Sequence, residues 1–410
     1  MNDISKHARR LSPAVIASIV LWSAILAGSS AFVARHWFGA SSVSQLRSAV
    51  VTFSHIYPPD PYPFERPPVG TASPNVPARG RIHTGTTVTS ISALAAAVPA
   101  GYLVQEAPGV WRLQHPIELG AGTHVTLSDH LQLQIAPNAF ILAQRGAVLR
   151  LRGISIVAID ETGRPAMSPD IHRGFLDARS GAVLTLVNDK FNNLGYLGDQ
   201  TYGVTMDGAS PRSSMIDCTV VHDFFGVYLG RMSGGLIQSS RFIDSVIYGI
   251  DPHTFDSHLR ILNNTVTGAG VHGIVIAEHV SESLIAGNVV TTSRYHGIVV
   301  YQFSNSNTIR DNQIRGVFDG IVILNSSHNI VSHNVIGPTT RFGLRVSGTS
   351  SGNVFRDNSF SHGLVGAYLY QGATGNNFIG NVFRHEYENV RFRSDAKGNL
   401  ITPTPGRSEL

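Results

Sequence analysis

Apolar and polar residues alternate in short runs along most of the chain, and these runs recur at a fixed distance. A glycine followed by an apolar residue returns every 23 or 24 residues, at Gly203, Gly226, Gly249, Gly273, Gly297, Gly320, Gly343 and Gly366. Alternation with period two is typical of β-strands, and a fixed repeat of this length is typical of a solenoid. The pattern predicts an all-β protein, a right-handed parallel β-helix whose coils each contribute about three short strands.

A second landmark keeps the same period. An asparagine, with an apolar residue two positions on, recurs every 22 to 24 residues at Asn264, Asn288, Asn312, Asn334, Asn358 and Asn381. We expect the residues after the repeat glycines to point into the core, and the asparagines to occupy left-handed turn positions and stack in ladders. The leucine pattern of leucine-rich repeats is missing, and the period is too short for a WD-type propeller.

The rest of the chain divides by composition. We expect a signal peptide or signal anchor at 1–35, a Pro-rich linker at 36–82, an N-terminal cap with irregular first coils at 83–184, the parallel β-helix at 185–400 and a tail at 401–410. Basic residues precede an apolar run from Leu11 to Ala34 that is long enough to span a bilayer. The basic residues before the apolar run predict that the rest of the chain is exported. Whether the segment is cleaved or anchors the protein in the inner membrane stays open. Ser90 to Ala97 is predicted as one short helix.

Charge and cysteine content narrow the function classes. A formal net charge of +4 disfavours a nucleic-acid binder, and the single Cys218 forms no internal disulfide. Only three of the 31 basic residues are lysines, at Lys6, Lys190 and Lys397. Arginine binds carboxylates bidentately, so this bias fits a carboxylated partner, and it fits a codon bias equally well. No spacing resembles a metal-ligand set, so we expect no metal and no cofactor.

Polar chemistry concentrates on one face of the predicted helix. Counting from the repeat glycine of each coil, we expect Tyr248, Asp251 and His253 to share a face. Adjacent coils lie about 4.8 Å apart, so residues at the same positions of neighbouring coils come close to them. Residues of the neighbouring coils join them there: Arg231, His272, Glu278, Arg294, His296 and Tyr301. We expect this set to form the functional site.

The hexapeptide Tyr248-Gly249-Ile250-Asp251-Pro252-His253 resembles the Y-G-[IF]-D-P-H signature of mannuronan C5-epimerases. Flanking segments such as Leu194-Gly195-Tyr196 and His272-Gly273-Ile274 fall in similar order and spacing, most similar to the periplasmic β-helix type. The resemblance implies an isomerase that converts mannuronate to guluronate in an alginate-like anionic exopolysaccharide of the periplasm, with an exopolysaccharide secretion complex as a partner. It implies that His253 abstracts the C5 proton, that Tyr248 serves the opposite face, and that Asp251 orients His253 or keeps the carboxylate protonated.

One position departs from the family pattern. Family members carry an arginine near the end of the next strand, where this chain has Glu278, and Thr254 replaces an often acidic residue. Arg231 and Arg294 are the candidates to neutralise the substrate carboxylate instead. Two alternatives remain open at this point: a uronan lyase on the same scaffold, and a non-catalytic periplasmic β-helix protein that binds copper for cofactor maturation.

Overall fold

Three long parallel sheets wind through the described part of the chain. The computed structural model describes residues 80–128, 130–198 and 200–402. Each sheet has 13 strands, and successive strands of one sheet come from successive coils. Among the paired strands of the described residues, the exception to parallel pairing is the antiparallel contact of Leu103–Ala107 with Val110–Leu113 in the cap. The right-handed parallel β-helix predicted from the repeat is confirmed.

Sheet 1 contains the strands Arg81–Ile82, Ile117–Leu119, Phe140–Ala143, Phe175–Arg179, Gly203–Asp207, Phe225–Gly230, Ile250–His253, Ile274–Ala277, His296–Tyr301, Val317–Leu324, Thr339–Ser347, Val365–Leu369 and Glu388–Phe392. Sheet 2 contains Leu103–Ala107, Val110–Leu113, Gln132–Ile135, Ser155–Ala158, Lys190–Asn192, Thr219–Val221, Arg241–Ile243, Thr265–Thr267, Val289–Thr291, Gln313–Arg315, Val335–Ile336, Ser359–Ser361 and Val382–Arg384. Sheet 3 contains Thr87–Val88, His124–Ser128, Val148–Arg152, Val183–Val187, Ser214–Ile216, Leu236–Gln238, Arg260–Leu262, Leu284–Ala286, Thr308–Arg310, Ile330–Ser332, Val354–Arg356, Asn377–Ile379 and Leu400–Thr402.

One helix, Ile91–Ala96, lies in the cap, where the sequence predicts it. The Ser90 side chain caps it by accepting a hydrogen bond from the Ala93 N–H at 3.1 Å. The three sheets already begin at Arg81, Thr87 and Leu103, so the same stacking runs through the cap and the regular coils. The last strand ends at Thr402, past the predicted boundary at 400.

The core is built by the residues that follow the repeat glycines. All eight have no exposed surface: Val204, Val227, Ile250, Ile274, Ile298, Ile321, Leu344 and Ala367. The repeat glycines from Gly226 to Gly366 are required by packing rather than by an unusual backbone, whereas Gly203 also has a positive φ of 124°. A Cβ on Gly249 would lie 2.3 Å from Val266 Cγ1 and 2.7 Å from the Gly273 carbonyl oxygen, because sheet 1 bends tightly against sheet 2 there. The glycines therefore recur with this period because the same close approach to neighbouring atoms recurs in successive coils.

The asparagines form the expected ladder but not the expected backbone. The Asn264 amide donates to Asn288 Oδ1 at 3.0 Å, and Asn288 donates to Asn312 Oδ1 at 3.0 Å. The prediction of left-handed backbone for them was wrong, because the positive φ belongs to the preceding residue, as at Asn263 and Asp311. That twist turns the asparagine side chain inward, where it also binds a backbone carbonyl of the previous coil.

A second ladder was missed: its members are Asn307, Asn329, Asn353, Asn376 and Asn399.

The predicted signal or anchor at 1–35 lies outside the described residues, as does most of the predicted linker. Within residues 80–402, apart from 129 and 199, no helix is long and apolar enough to cross a membrane.

Candidate active site

The signature hexapeptide enters sheet 1 at its middle. Its strand, Ile250–His253, pairs with Phe225–Gly230 of the preceding coil and with Ile274–Ala277 of the next one. Ile250 points into the core, and the alternation of a strand turns Asp251 and His253 to the outer face. Asp251 is in register with Tyr228, and His253 with Gly230. The signature therefore places a carboxyl and an imidazole side by side on one face of the sheet.

A hydroxyl connects His253 to the next coil. His253 Nδ1 lies 2.6 Å from Thr254 Oγ1, and Thr254 Oγ1 donates to Glu278 Oε2 at 3.1 Å. Because the only hydroxyl proton of Thr254 goes to Glu278, the proton of the first bond comes from Nδ1 of the imidazole. In the neutral ring this leaves the lone pair on Nε2. Burial lowers the pKa of His253, and Glu278 opposes that shift, so the ring is neutral at pH 7.

Asp251 lies beside these hydrogen bonds between His253, Thr254 and Glu278 but is not part of them. Its side chain has no exposed surface, and neither carboxyl oxygen has a hydrogen-bond partner within the described residues. Burial raises the pKa of Asp251 well above its usual range, and the negative charges of Asp256 and Glu278 act in the same direction. Of the two roles considered for Asp251, orienting His253 does not fit, because Thr254 and Glu278 hold the imidazole. The raised pKa favours the protonated form of this carboxyl, which lies on the outer face of the sheet.

Asp256 fixes the turn that follows the signature. Its Oδ2 accepts from the His253 backbone N–H at 3.0 Å, and its Oδ1 accepts from the Met232 N–H at 2.7 Å. Burial raises the pKa of this carboxyl as well. The aspartate thus ties the coil of His253 to the coil before it.

Tyr248 belongs to a column of stacked rings along the start of sheet 1. Its ring lies 5.4 Å from that of His272, and His272 lies 4.7 Å from His296 with an interplanar angle of 9°. Phe225 stacks on the other side of Tyr248 at 5.3 Å. All these rings are buried. Tyr248 and His253 therefore stand at opposite ends of the signature strand, with Asp251 between them.

Tyr228 is a site residue that was not singled out from the sequence. Its ring centroid lies 5.9 Å from that of His253, and its hydroxyl lies over Gly230, where an added Cβ would approach it to 3.1 Å. Burial raises the pKa of Tyr228 well above its usual range. The repeat already places Tyr228 one coil before Asp251 in the same register, and this position could have identified it from the sequence.

The remaining predicted residues are divided between the site and its surroundings. Arg231, in the coil before His253, pairs with Asp207 of the coil before that, and its side chain is half exposed. Tyr301 lies two coils after His253 in the same register, and accepts from Gln302 at 3.0 Å. Arg294 is exposed in the turn that leads to His296, with its guanidinium 5.5 Å from the Tyr295 ring. Arg294 therefore stands at the entry of sheet 1, whereas His253 stands at its exit.

No group of three or more His, Cys, Asp or Glu side chains that could hold a metal ion occurs among residues 80–128, 130–198 and 200–402. The only cysteine, Cys218, is buried, and burial raises its pKa to about 12.

Two family models match parts of the chain. The right-handed β-helix region matches residues 253–399, and the periplasmic copper-binding protein NosD matches residues 135–314.

The curated relatives that the chain matches include mannuronan C5-epimerases, the family whose signature the hexapeptide resembles. The mannuronan C5-epimerase of Pseudomonas putida is 26% identical over 295 residues, which cover 68% of this chain and 57% of the relative. The mannuronan C5-epimerase of Pseudomonas aeruginosa is 27% identical over 212 residues, covering 48% of this chain and 39% of the relative. The chain thus spans about half the length of the relatives it matches. The resemblance seen in the sequence is confirmed.

A solved structure shares the fold. The periplasmic alginate epimerase AlgG superposes with a TM-score of 0.67 at 21% identity, covering 76% of this chain and 84% of that one.

Proposed function

We propose that this protein epimerises uronate residues at C5 within an anionic polysaccharide, converting mannuronate to guluronate in an alginate-like polymer. The proposal rests on one observation above all: Asp251, a buried carboxyl without a hydrogen-bond partner among the described residues, lies next to a neutral imidazole, His253, on the outer face of a β-helix. Similarity to mannuronan C5-epimerases supports the choice of substrate.

The chemistry requires that the carboxylate of the sugar be neutralised. The C5 proton is α to this group, so its removal spreads negative charge onto the carboxylate oxygens. A protonated Asp251 donates a hydrogen bond to the carboxylate at the moment this charge develops. A carboxylic acid kept neutral by burial serves in this way in other enzymes that form enolates. Arg231, held by Asp207 one coil earlier, supplies the nearby positive charge.

His253 then acts as the base that removes the C5 proton. Its Nδ1 proton is fixed by Thr254 and Glu278, so the lone pair on Nε2 receives the new proton. The carboxylate of Glu278 stabilises the imidazolium that results. The position that carries arginine in relatives thus serves the base in this chain rather than the substrate carboxylate.

Tyr248 returns a proton to the opposite face of the sugar. It stands across Asp251 from His253, so the two groups flank a ring whose carboxylate binds at Asp251. Tyr228 lies on the same side as His253 and positions the imidazole. His272, His296 and Tyr301 extend the binding surface along the following coils.

The polymer and the predicted export of the chain favour the periplasm as the compartment of the reaction. An exopolysaccharide secretion complex is the proposed partner there, and the inner membrane is a further partner if the N-terminal segment stays attached. AlgG, whose fold this chain shares, is a periplasmic enzyme, and that likeness supports the compartment.

Copper binding is a second candidate, favoured by the match to the NosD model. It offers no role for the buried Asp251, and the described residues hold no metal-ligand group. Titration of the full-length protein with Cu(I) and Cu(II) tests it, and tight binding with no activity on uronans would favour it.

The epimerase proposal is tested by incubating the full-length protein with polymannuronate and following the products by proton NMR and ultraviolet absorbance. Guluronate signals without absorbance from unsaturated ends are expected. Rising absorbance would indicate the lyase, which shares the carbanion but expels the C4 oxygen. Unchanged polymannuronate would contradict both activities.

A further inference from the structure

Three exposed rings stack on one another at the turns where the chain leaves sheet 1. The ring centroid of Phe255 lies 4.8 Å from that of His279 with an interplanar angle of 7°, and His279 lies 5.3 Å from Phe303 at 21°. These separations are close to the spacing of neighbouring strands, because the three rings come from successive coils. Phe255, His279 and Phe303 form the aromatic ladder, which runs along the helix axis for about 10 Å.

The rings of the aromatic ladder are open to solvent. Phe255 is 62% exposed and Phe303 is 53% exposed, the largest values for phenylalanine among the described residues, and His279 is exposed as well. His279 stands between the two phenylalanines and covers one face of each. Since more than half of each phenylalanine is still exposed, its edge and much of its other face lie in water. A contiguous group of exposed apolar side chains is typical of a binding surface.

The backbone that carries the ladder is strained in the same way in all three coils. Positive φ is uncommon outside glycine and is costly for a bulky side chain. Residues held in this region persist where the surroundings fix them, and they cluster at binding and active sites. Each of the three turns has two consecutive residues with φ between 45° and 69°: Thr254-Phe255, Glu278-His279 and Gln302-Phe303.

The aromatic ladder is continuous with the candidate active site. Thr254 and Glu278, which hold the imidazole of His253, each immediately precede a ring of the ladder. In the third coil, Gln302 donates to the hydroxyl of Tyr301, which lies in the register of His253. Each left-handed pair thus places one polar side chain beside the outer face of sheet 1 and one ring at its margin. A polymer with one sugar at His253 therefore meets the ladder with its neighbouring sugars.

We propose that the aromatic ladder is a sugar-binding subsite, which contacts the uronate residues next to the one that reacts. This inference rests on the proposed function for the identity of the polymer. A sugar ring carries its carboxylate and hydroxyls at the rim and apolar C–H groups on its faces. Phe255 and Phe303 provide apolar surface for these C–H groups, and the ring nitrogens of His279 bind the sugar hydroxyls. The ladder thereby positions the polymer so that one C5 proton lies at His253.

Calorimetry with the full-length protein and a mannuronate octamer measures what each ring contributes. Phe303→Ala, two coils away from His253, should weaken binding about fivefold, the size expected for one lost aromatic contact. Phe255→Ala should cause a similar loss. The double variant should lose about the product of the two factors, because His279 separates the two rings. Tyr387→Ala, at an exposed aromatic residue of the last coil, is the matched control and should bind like the parent protein.

Two further measurements separate contact with the sugar from damage to the turn. Phe303→Tyr keeps the ring and should retain the affinity of the parent protein, with all variants folded by circular dichroism. The loss in Phe303→Ala should be the same in about 0.05 M and about 0.5 M salt, because an apolar contact is not screened as charges are. Unchanged binding in the double variant, a loss confined to low salt, or an equal loss in Phe303→Tyr would overturn the subsite. Because binding needs no turnover, absence of C5 exchange in a parent protein that binds the octamer would refute the epimerase activity alone.

Discussion

Glu278 Oε2 lies 3.7 Å from His253 Nδ1, and the hydroxyl of Thr254 bridges the two groups. This relationship gives a purpose to both departures from the family pattern. Thr254 and Glu278 together fix the imidazole tautomer, whereas in the proposed reaction Asp251 acts on the substrate. The base, its support and the acid can therefore be tested separately.

Removing the base should abolish the reaction without unfolding the protein. His253→Ala is expected to lower the rate of epimerisation by about a thousandfold or more, since a positioned general base contributes 10²–10⁴-fold. Proton NMR of the polymer measures the rate, and circular dichroism monitors the fold. His258→Ala, at an exposed histidine of the same coil region, is the control and should retain activity.

Glu278→Gln should shift the pH dependence of the reaction. Glu278 raises the pKa of His253 against the effect of burial, so the variant lowers that pKa further. The acidic limb of kcat/KM, where the base becomes protonated, should move to lower pH, and the maximal rate should fall by at least about tenfold because the tautomer is no longer fixed. Glu282→Gln, at an exposed residue of the same coil, should move neither. An unmoved limb in Glu278→Gln would separate Glu278 from the base.

Asp251→Asn should flatten the dependence of stability on pH. The pKa of Asp251 is raised above its ordinary value of 3.8, so the folded state holds this proton more tightly than the unfolded chain. Its contribution is complete below pH 3.8 and is lost as the pH rises through the folded pKa, by up to about 1.4 kcal/mol per pH unit. Denaturant unfolding of both proteins from pH 4 to pH 9 measures the difference. Parallel curves would show that Asp251 does not carry a raised pKa.

Two tyrosine variants separate the proton donor from its neighbour. Tyr248→Phe should stop inversion while His253 still exchanges the C5 proton, so that unconverted mannuronate gains deuterium in D₂O. Tyr228→Phe keeps the ring that lies beside His253, so it should reduce the rate less than about tenfold and still form guluronate. Proton NMR distinguishes the two products. The reverse result would exchange the roles assigned to the tyrosines.

The asparagine ladder should matter for stability alone. Asn334→Ala removes the partner of Asn312 and leaves buried groups unsatisfied, so the free energy of unfolding should fall by about 1–3 kcal/mol. Gln313→Ala, at an exposed neighbour, should have little effect. Thermal melting checks the change, and activity at 25 °C should be retained by both variants.

The repeat made the fold predictable, because one residue pattern reports each coil. Gly249 and Ile250 mark the bend and the core, and their periodic counterparts extend the same arrangement through sheet 1. The backbone of the asparagines was not predictable in this way. The left-handed residue is the one before each asparagine, and its identity varies from Asn263 to Gly287 to Asp311.

For the site, the sequence predicted only which residues share a face and which coil each one belongs to. Counting from the glycines placed Asp251 and His253 on one face and Glu278 in the next coil. It could not show that Thr254 connects His253 to Glu278, because the bridging geometry depends on the φ of 45° at Thr254 and 58° at Glu278.

The most direct test of the central claim is the isotope content at C5. The full-length protein, incubated with polymannuronate in D₂O, should yield guluronate that carries deuterium at C5, and His253→Ala should yield none. Guluronate that retains the original C5 proton, or a parent protein that leaves the C5 protons of every uronan unexchanged, would contradict the account.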